Sequence, residues 1–166
     1  MIIADDWDLR WYKPEDLKQL VDLHRECFPN EDWSAKDFDR FVNNKSMRNN
    51  VVKVLVADKK VYGSLLYTVA KDAIMIRRVA VRADVRRQGL AAFMLNSLCG
   101  PRSPLKRKLY HGRVRENNLP AIKLLKEKMG FAFDPKKSRD RDKKLKVDYY
   151  EFTLVKAAVP KVVTTE

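Results

Sequence analysis

A chain of 166 residues with 45% hydrophobic content is long enough to bury one substantial core and reads as a single globular unit. Its 35 lysines and arginines outweigh 22 aspartates and glutamates, a formal charge of +13 that points to an anionic partner and argues against polybasic acceptors. No apolar run approaches the roughly 20 residues that span a bilayer, the first residues carry acids where a secretory leader carries bases, and Cys27 and Cys99 lack CxxC spacing. The expectation is a cytoplasmic protein without membrane contact, metal site or disulfide.

In chain order, Asp8 to Tyr12 alternates like a strand, and Pro14 suits the first turn of a helix, where its missing N–H would be unpaired anyway. Leu17, Leu20, Val21 and Leu23 form the apolar face of that helix. After Pro29, Ser34 followed by Asp37 resembles a capping box and opens a second helix carrying Phe38 and Phe41. Val51 to Ala57 and Lys60 to Val69 are β-branched runs joined by Asp58-Lys59, the length of a tight hairpin turn, and Ala73 to Arg82 is a third strand. A helix from Gln88 to Leu98 stops at Gly100-Pro101. Then come a strand from Lys108 to Val114, a helix from Leu119 to Met129 closed by Gly130, and a last strand from Val147 to Val155. This alternation is mixed α/β, one domain over residues 1–155, followed by a tail, 156–166, that has no packing pattern and is expected to be mobile.

Charge is unevenly spread. The run Lys136 to Lys146 has seven basic and two acidic residues in eleven positions and reads as a solvated loop that RNA would meet; it lacks the interleaved aromatics that stack on bases.

The most informative stretch begins at Ile74, where a strand runs through a basic turn into an apolar-periodic helix. Unpaired N–H groups and the dipole at the helix start, Gly89 allowing close backbone approach, and Arg86 with Arg87 beside it make an anion cradle suited to a pyrophosphate. The turn Arg86-Arg87-Gln88-Gly89-Leu90-Ala91 also resembles the cofactor signature of the GNAT superfamily of N-acetyltransferases: Arg or Gln, two residues, Gly, one residue, Gly or Ala. Leu9-Arg10 through Pro14-Glu15-Asp16, the strand Val79-Ala80-Val81, and Asn118 through Glu127-Lys128-Met129-Gly130-Phe131 are similar to further segments of that family in the same order.

The resemblance implies an α/β (α+β) GNAT fold: a central, mostly antiparallel sheet with one splayed pair of strands and about four helices. It implies acetyl-CoA as co-substrate, held by Val79, Ala80 and Val81 at the thioester and pantetheine arm and by Arg86 through Ala92 (Arg87, Gln88, Gly89, Leu90, Ala91) at the pyrophosphate. Asn118 would hydrogen-bond the arm or cap the helix that Pro120 opens. Within the superfamily, Phe28-Pro29 with Trp33 through Phe38 is similar to the ribosomal-protein alanine N-terminal acetyltransferases. There a glutamate five residues before the asparagine acts as base and a tyrosine in the next helix as acid. This chain has Arg113 at the first position and Leu125 or Lys126 at the second, with one extra residue before Gly130-Phe131.

Without a dedicated base, an acceptor that is already partly neutral is favoured: an α-amine is roughly a tenth neutral at pH 7, a lysine only about 0.04%. Substitute groups are His111, on the strand face of Arg113, and Tyr149 or Tyr150, one facing each way on the last strand. Glu26, Glu31 and Asp32 lie near the resembling substrate wall, where one would orient an amine. The function implied is acetyl transfer to a primary amine, the α-amine of a peptide or protein, by a monomer or homodimer. The alternatives are an aminoacyl-tRNA or small-molecule acceptor, and a catalytically weak CoA-binding or nucleic-acid-binding protein of the same fold.

Overall fold

The computed structural model describes residues 6–29, 31–43, 49–134, 138–142 and 147–156. Strand β1 (Asp8–Trp11) leads through a 3₁₀ turn at Pro14–Asp16 into α1 (Leu17–Cys27), and α2 (Ala35–Val42) follows. The expected capping box is present: Asp37 N–H donates to Ser34 Oγ, while Ser34 N–H donates to Asp37 Oδ2 at 2.8 Å. Next come β2 (Asn50–Ala57), β3 (Lys60–Val69) and β4 (Ala73–Val81). The β2–β3 turn at Asp58 and Lys59 has φ of 46° and 60°, the two positive values that let a two-residue loop match the strand twist.

Helix α3 (Leu90–Cys99), β5 (Leu109–Arg115), α4 (Leu119–Lys123), β6 (Ala132–Phe133), β7 (Ser138–Asp142) and β8 (Val147–Val155) complete the chain. Helix α3 starts two residues later than its pattern predicts because Gly89, at φ 75°, sits in the left-handed region and serves as the cap. Strand β7 corrects the expected loop, since Ser138 to Asp142 pair with β8; residues 136, 137 and 143–146 of the basic run, with its proposed RNA contact, and 157–166 of the tail lie outside the described residues.

The sheet order is β1-β2-β3-β4-β5-β8-β6, with β7 also on β8. Every pair is antiparallel except β4 with β5. One face carries α3 and α4 over Leu55, Leu65, Tyr67, Ile74, Met94, Leu95, Tyr110 and Phe152. The other packs α1 and α2 over Val52, Val54, Leu66 and Ala80 through Leu20, Leu23 and Phe38. Strand β3, covered on both sides, is buried from Val61 to Tyr67, a run that is apolar apart from Ser64, whose hydroxyl meets His24. Among the described residues no helix is long and apolar enough to cross a membrane.

Two features open the centre of this sheet. Arg77 is an extra residue in β4, since Leu66 faces Arg78 while Tyr67 faces Ile76, and such a bulge bends its strand. The parallel ladder with β5 ends at the rung Ile76–Gly112, although β4 continues to Val81 and β5 to Arg115. Gly112 permits that last close rung: a Cβ there would lie 2.7 Å from the Ile76 carbonyl oxygen and 2.6 Å from Phe152 Cζ. Beyond it the strands part.

Candidate active site

The parted strands frame two adjoining cavities. The first, of about 490 Å³, lies between the end of β4 and the start of α3. Val79, Ala80, Val81, Arg86, Arg87, Gly89, Leu90, Ala91, Ala92 and Asn118 border it, which brings together all the residues expected to hold acetyl-CoA except Gln88. The first intrahelical bond of α3 runs from Phe93 N–H to the Gly89 carbonyl at 2.9 Å, so the N–H groups of Leu90, Ala91 and Ala92 lie ahead of the helical ladder at its positive end. Arg87 and Gly89 both have positive φ, 66° and 75°, the backbone turn that aims successive N–H groups into one concavity. Arg86 is spent inward: its Nε donates to the Val81 carbonyl at 2.9 Å, tying the turn to the strand.

Asn118 caps α4, its Oδ1 accepting from Ala121 N–H at 3.3 Å, and also borders both cavities. After α4 the chain makes a π-helical turn at Leu124–Lys128, with Met129 N–H donating to the Leu124 carbonyl. That wide turn accommodates one more residue than an α-helical turn, and of the two positions where the resemblance expects an acid, Leu125 is buried against the second cavity while Lys126 is exposed. Residues 119–128 include no serine, threonine or tyrosine.

The second cavity, of about 430 Å³, shares Cys27, Phe28, Val79, Asn118 and Ala121 with the first, so the two are halves of one cleft. Its character is different. Arg77, Arg78, Arg113, Arg115, Glu31 and Tyr149 border it. Tyr149 Oη donates to Glu31 Oε1 at 2.7 Å, and Arg115 forms an ion pair with Glu31 Oε2. Arg113 pairs with Glu151 at 3.7 Å.

Behind this half lies a polar string that sequence reasoning missed. Arg78 Nη2 donates to the Glu31 carbonyl at 2.7 Å, and its guanidinium lies 4.6 Å from the centroid of Phe28 and 4.9 Å from that of Trp33. Burial lowers the Arg78 pKa to about 10, which leaves it cationic at neutral pH. Its Nη1 lies 3.5 Å from Nδ1 of His24, whose Nε2 is 2.9 Å from Ser64 Oγ. His24 is fully buried, and burial first, then the Arg78 charge, pushes its pKa down to about 3, so it is neutral. It follows Leu20 by four residues on α1, the helical spacing that could have identified it as a core position.

The structure does not bring every candidate to the cleft. His111 pairs with Met75 in the closed part of the β4–β5 ladder, short of the opening, and borders neither cavity. Tyr150 faces the opposite side of β8, where its ring packs near Phe133. Of the three carboxylates near the expected substrate wall, Glu26 accepts from Ala83 N–H and Asp32 pairs with Arg25, and only Glu31 borders a cavity.

A sheet parted beside a helix start whose first N–H groups are free of the helical ladder, with a polar cavity joined to it across the gap, is an arrangement suited to an anionic group on one side and a second molecule on the other. The model of the acetyltransferase (GNAT) family matches residues 17–131, and this chain belongs to that family of N-acetyltransferases. The ribosomal-protein-S18-alanine N-acetyltransferase of Escherichia coli has a similar structure, with TM-score 0.77 and 20% identity over 94% of this chain and 98% of that one. Arabidopsis thaliana NAA60 in complex with a bisubstrate analogue matches with TM-score 0.73 and 21% identity over 90% and 97%. Arabidopsis thaliana Naa50 with the bisubstrate analogue CoA-Ac-MVNAL matches with TM-score 0.71 and 19% identity over 91% and 99%. No curated protein sequence matches the chain.

Proposed function

We propose that this chain is a cytoplasmic enzyme that moves acetyl from acetyl-CoA to the α-amine of a peptide or protein N-terminus. The observation that carries the reading is the shared wall of the two cavities, where the unpaired edge of β4 at Val79 lies between an anion-binding turn and a polar acceptor chamber. The residues present suit the donor. N–H groups at the start of α3 and the small side chains of Gly89, Ala91 and Ala92 leave room for a pyrophosphate, and Val79 to Val81 offer backbone groups to the arm and the thioester.

The acceptor amine, neutral after losing a proton to solvent, attacks the thioester carbon. A C–N bond forms, the C–S bond breaks, and the surplus proton on nitrogen ends on the departing thiolate. A preorganised N–H on the β4 edge would stabilise the tetrahedral oxyanion, an effect worth roughly 2.7–4 kcal/mol. A guanidinium, that of Arg113, stands where the family resemblance expects a carboxylate base, so the reaction depends on an acceptor with a low amine pKa. The similar Naa50 structure, solved with a CoA analogue that carries a peptide, agrees with such an acceptor.

Release of CoA from acetyl-CoA by the purified protein, measured against a peptide with a free N-terminus and the same peptide N-terminally blocked but carrying lysine, tests the reading. The free α-amine is expected to react at least about 10-fold faster at pH 7. Faster reaction of the lysine overturns the acceptor assignment. Stabilisation by acetyl-CoA without acyl transfer to any amine marks a binding protein instead.

A further inference from the structure

Acceptor binding in this chain must be built from groups other than the family's glutamate, because Arg113 occupies that place on β5. Among the described residues, the one carboxylate bordering the acceptor cavity is Glu31, on the segment between α1 and α2. Within the segment the Glu31 N–H donates to the Phe28 carbonyl at 3.0 Å, and the other groups that fix Glu31 come from outside it.

The fixing is visible. The guanidinium of Arg78, projecting from β4 directly after the Arg77 bulge, lies between the rings of Phe28 and Trp33, one at each end of the segment, and hydrogen-bonds the carbonyl of Glu31 between them. A single side chain therefore holds the segment at three points. Two partly shielded cation–π contacts and a charge-assisted hydrogen bond together make a stronger tether than any one of them. Behind it, His24 bonded to Ser64 gives the guanidinium a neutral, buried neighbour, while Asp32 and Asp37 favour its charged form through space. On the cavity side, Tyr149 and Arg115 meet the two carboxylate oxygens.

Resting on the function proposed above, we infer that Glu31 receives the acceptor's amine and that Arg78 is the positioning residue that sets Glu31 in place. Sharing its charge with Arg115 and Tyr149 suits Glu31 to this task. A bare carboxylate would hold the amine as ammonium and resist its deprotonation, whereas one already neutralised by a guanidinium accepts an N–H without strongly favouring the charged form. Arg78 also borders the acceptor cavity, and a double-mutant cycle separates its action through the segment from a direct contact with the acceptor.

The test is a double-mutant cycle with separate KM values for acetyl-CoA and for a free-N-terminus peptide. E31Q and R78M are each expected to raise the peptide KM about 10-fold or more, with the acetyl-CoA KM within about twofold of wild type. R78M added to E31Q should raise the peptide KM no further, since a residue acting through another has nothing left to position. R78K, which keeps the charge but loses the planar fork, should recover part of the loss. Should R78M fail to fold, Trp33→Leu removes one side of the stack and takes its place in the cycle with the same readings. Additive effects, or equal rises in both KM values, overturn the inference, as does an unchanged peptide KM in E31Q. A wild-type protein that acetylates no amine overturns both this inference and the function it rests on.

Discussion

The two halves of the cleft are built on opposite principles. The donor half is backbone and small side chains: the parted edge of β4, a turn with two positive-φ residues, and the start of α3. The acceptor half adds long polar side chains: Arg77 and Arg78 from β4, Arg113 and Arg115 from β5, Tyr149 from β8, and Glu31 from the segment between α1 and α2. Backbone is rigid and indifferent to what is transferred onto, so it suits a donor that is always the same; side chains can be exchanged one at a time, so they suit an acceptor that differs between enzymes.

The largest effect expected from breaking this division is on the donor half. Gly89→Glu combined with Arg86→Ala places a carboxylate at the helix start, forces a side chain into φ 75° and unties the turn from Val81. Nothing lies within 4 Å of a Cβ there, so the cost is conformational and electrostatic, not steric. Affinity for acetyl-CoA, read as thermal stabilisation, should fall about 100-fold or more. Undiminished stabilisation would move the donor site elsewhere.

The acceptor half rests on a buried neutral histidine, and acid should therefore undermine it. The folded-state pKa of His24 is depressed to about 3, so from pH 6.5 downward the unfolded chain binds a proton that the folded chain refuses. Its stabilising contribution is complete above pH 6.5 and declines as pH falls, by about 2 kcal/mol on reaching pH 5. Urea titrations at the two pH values measure it, and His24→Gln should flatten the difference; an equal acid loss in that variant would assign the effect to other groups.

The smallest effect sharpens the boundary of the site. Lys126, exposed on the π-helical turn, should be dispensable: Lys126→Ala is expected to leave kcat within about twofold. A large loss would mean that the helix rotates to present Lys126 during turnover.

The same contrast explains what could be read from the sequence. The donor half lies in one contiguous strand, turn and helix, and its demands are local: a glycine that can adopt positive φ, cations at the turn, and an apolar period after it. Strand and helix positions were legible for the same reason, to within a residue or two. The acceptor half has no such local mark. Glu31 and Tyr149 are 118 residues apart, and each is ordinary in its own segment until the sheet brings them within hydrogen-bonding distance. Arg78 reads as one more cation in a basic strand, because its role comes from two rings on another element. His111 was reached by correct alternation along β5, yet alternation cannot say where a ladder stops, and the Ile76–Gly112 rung excludes it. Strand β7 was hidden because charged residues on a sheet margin carry no apolar alternation.

The π-helical turn works as a slack link in an otherwise stiff frame. Ala121, one residue of the wall common to both cavities, lies upstream of it, and Phe131, stacked edge-on against Phe152 at 5.2 Å, lies downstream. With one surplus residue looped out inside the helix, the wall and the edge strand each keep their own alignment. Leu124 and Leu125 of the turn itself still meet the cleft, one at each cavity, so the wider turn keeps both leucines in the wall.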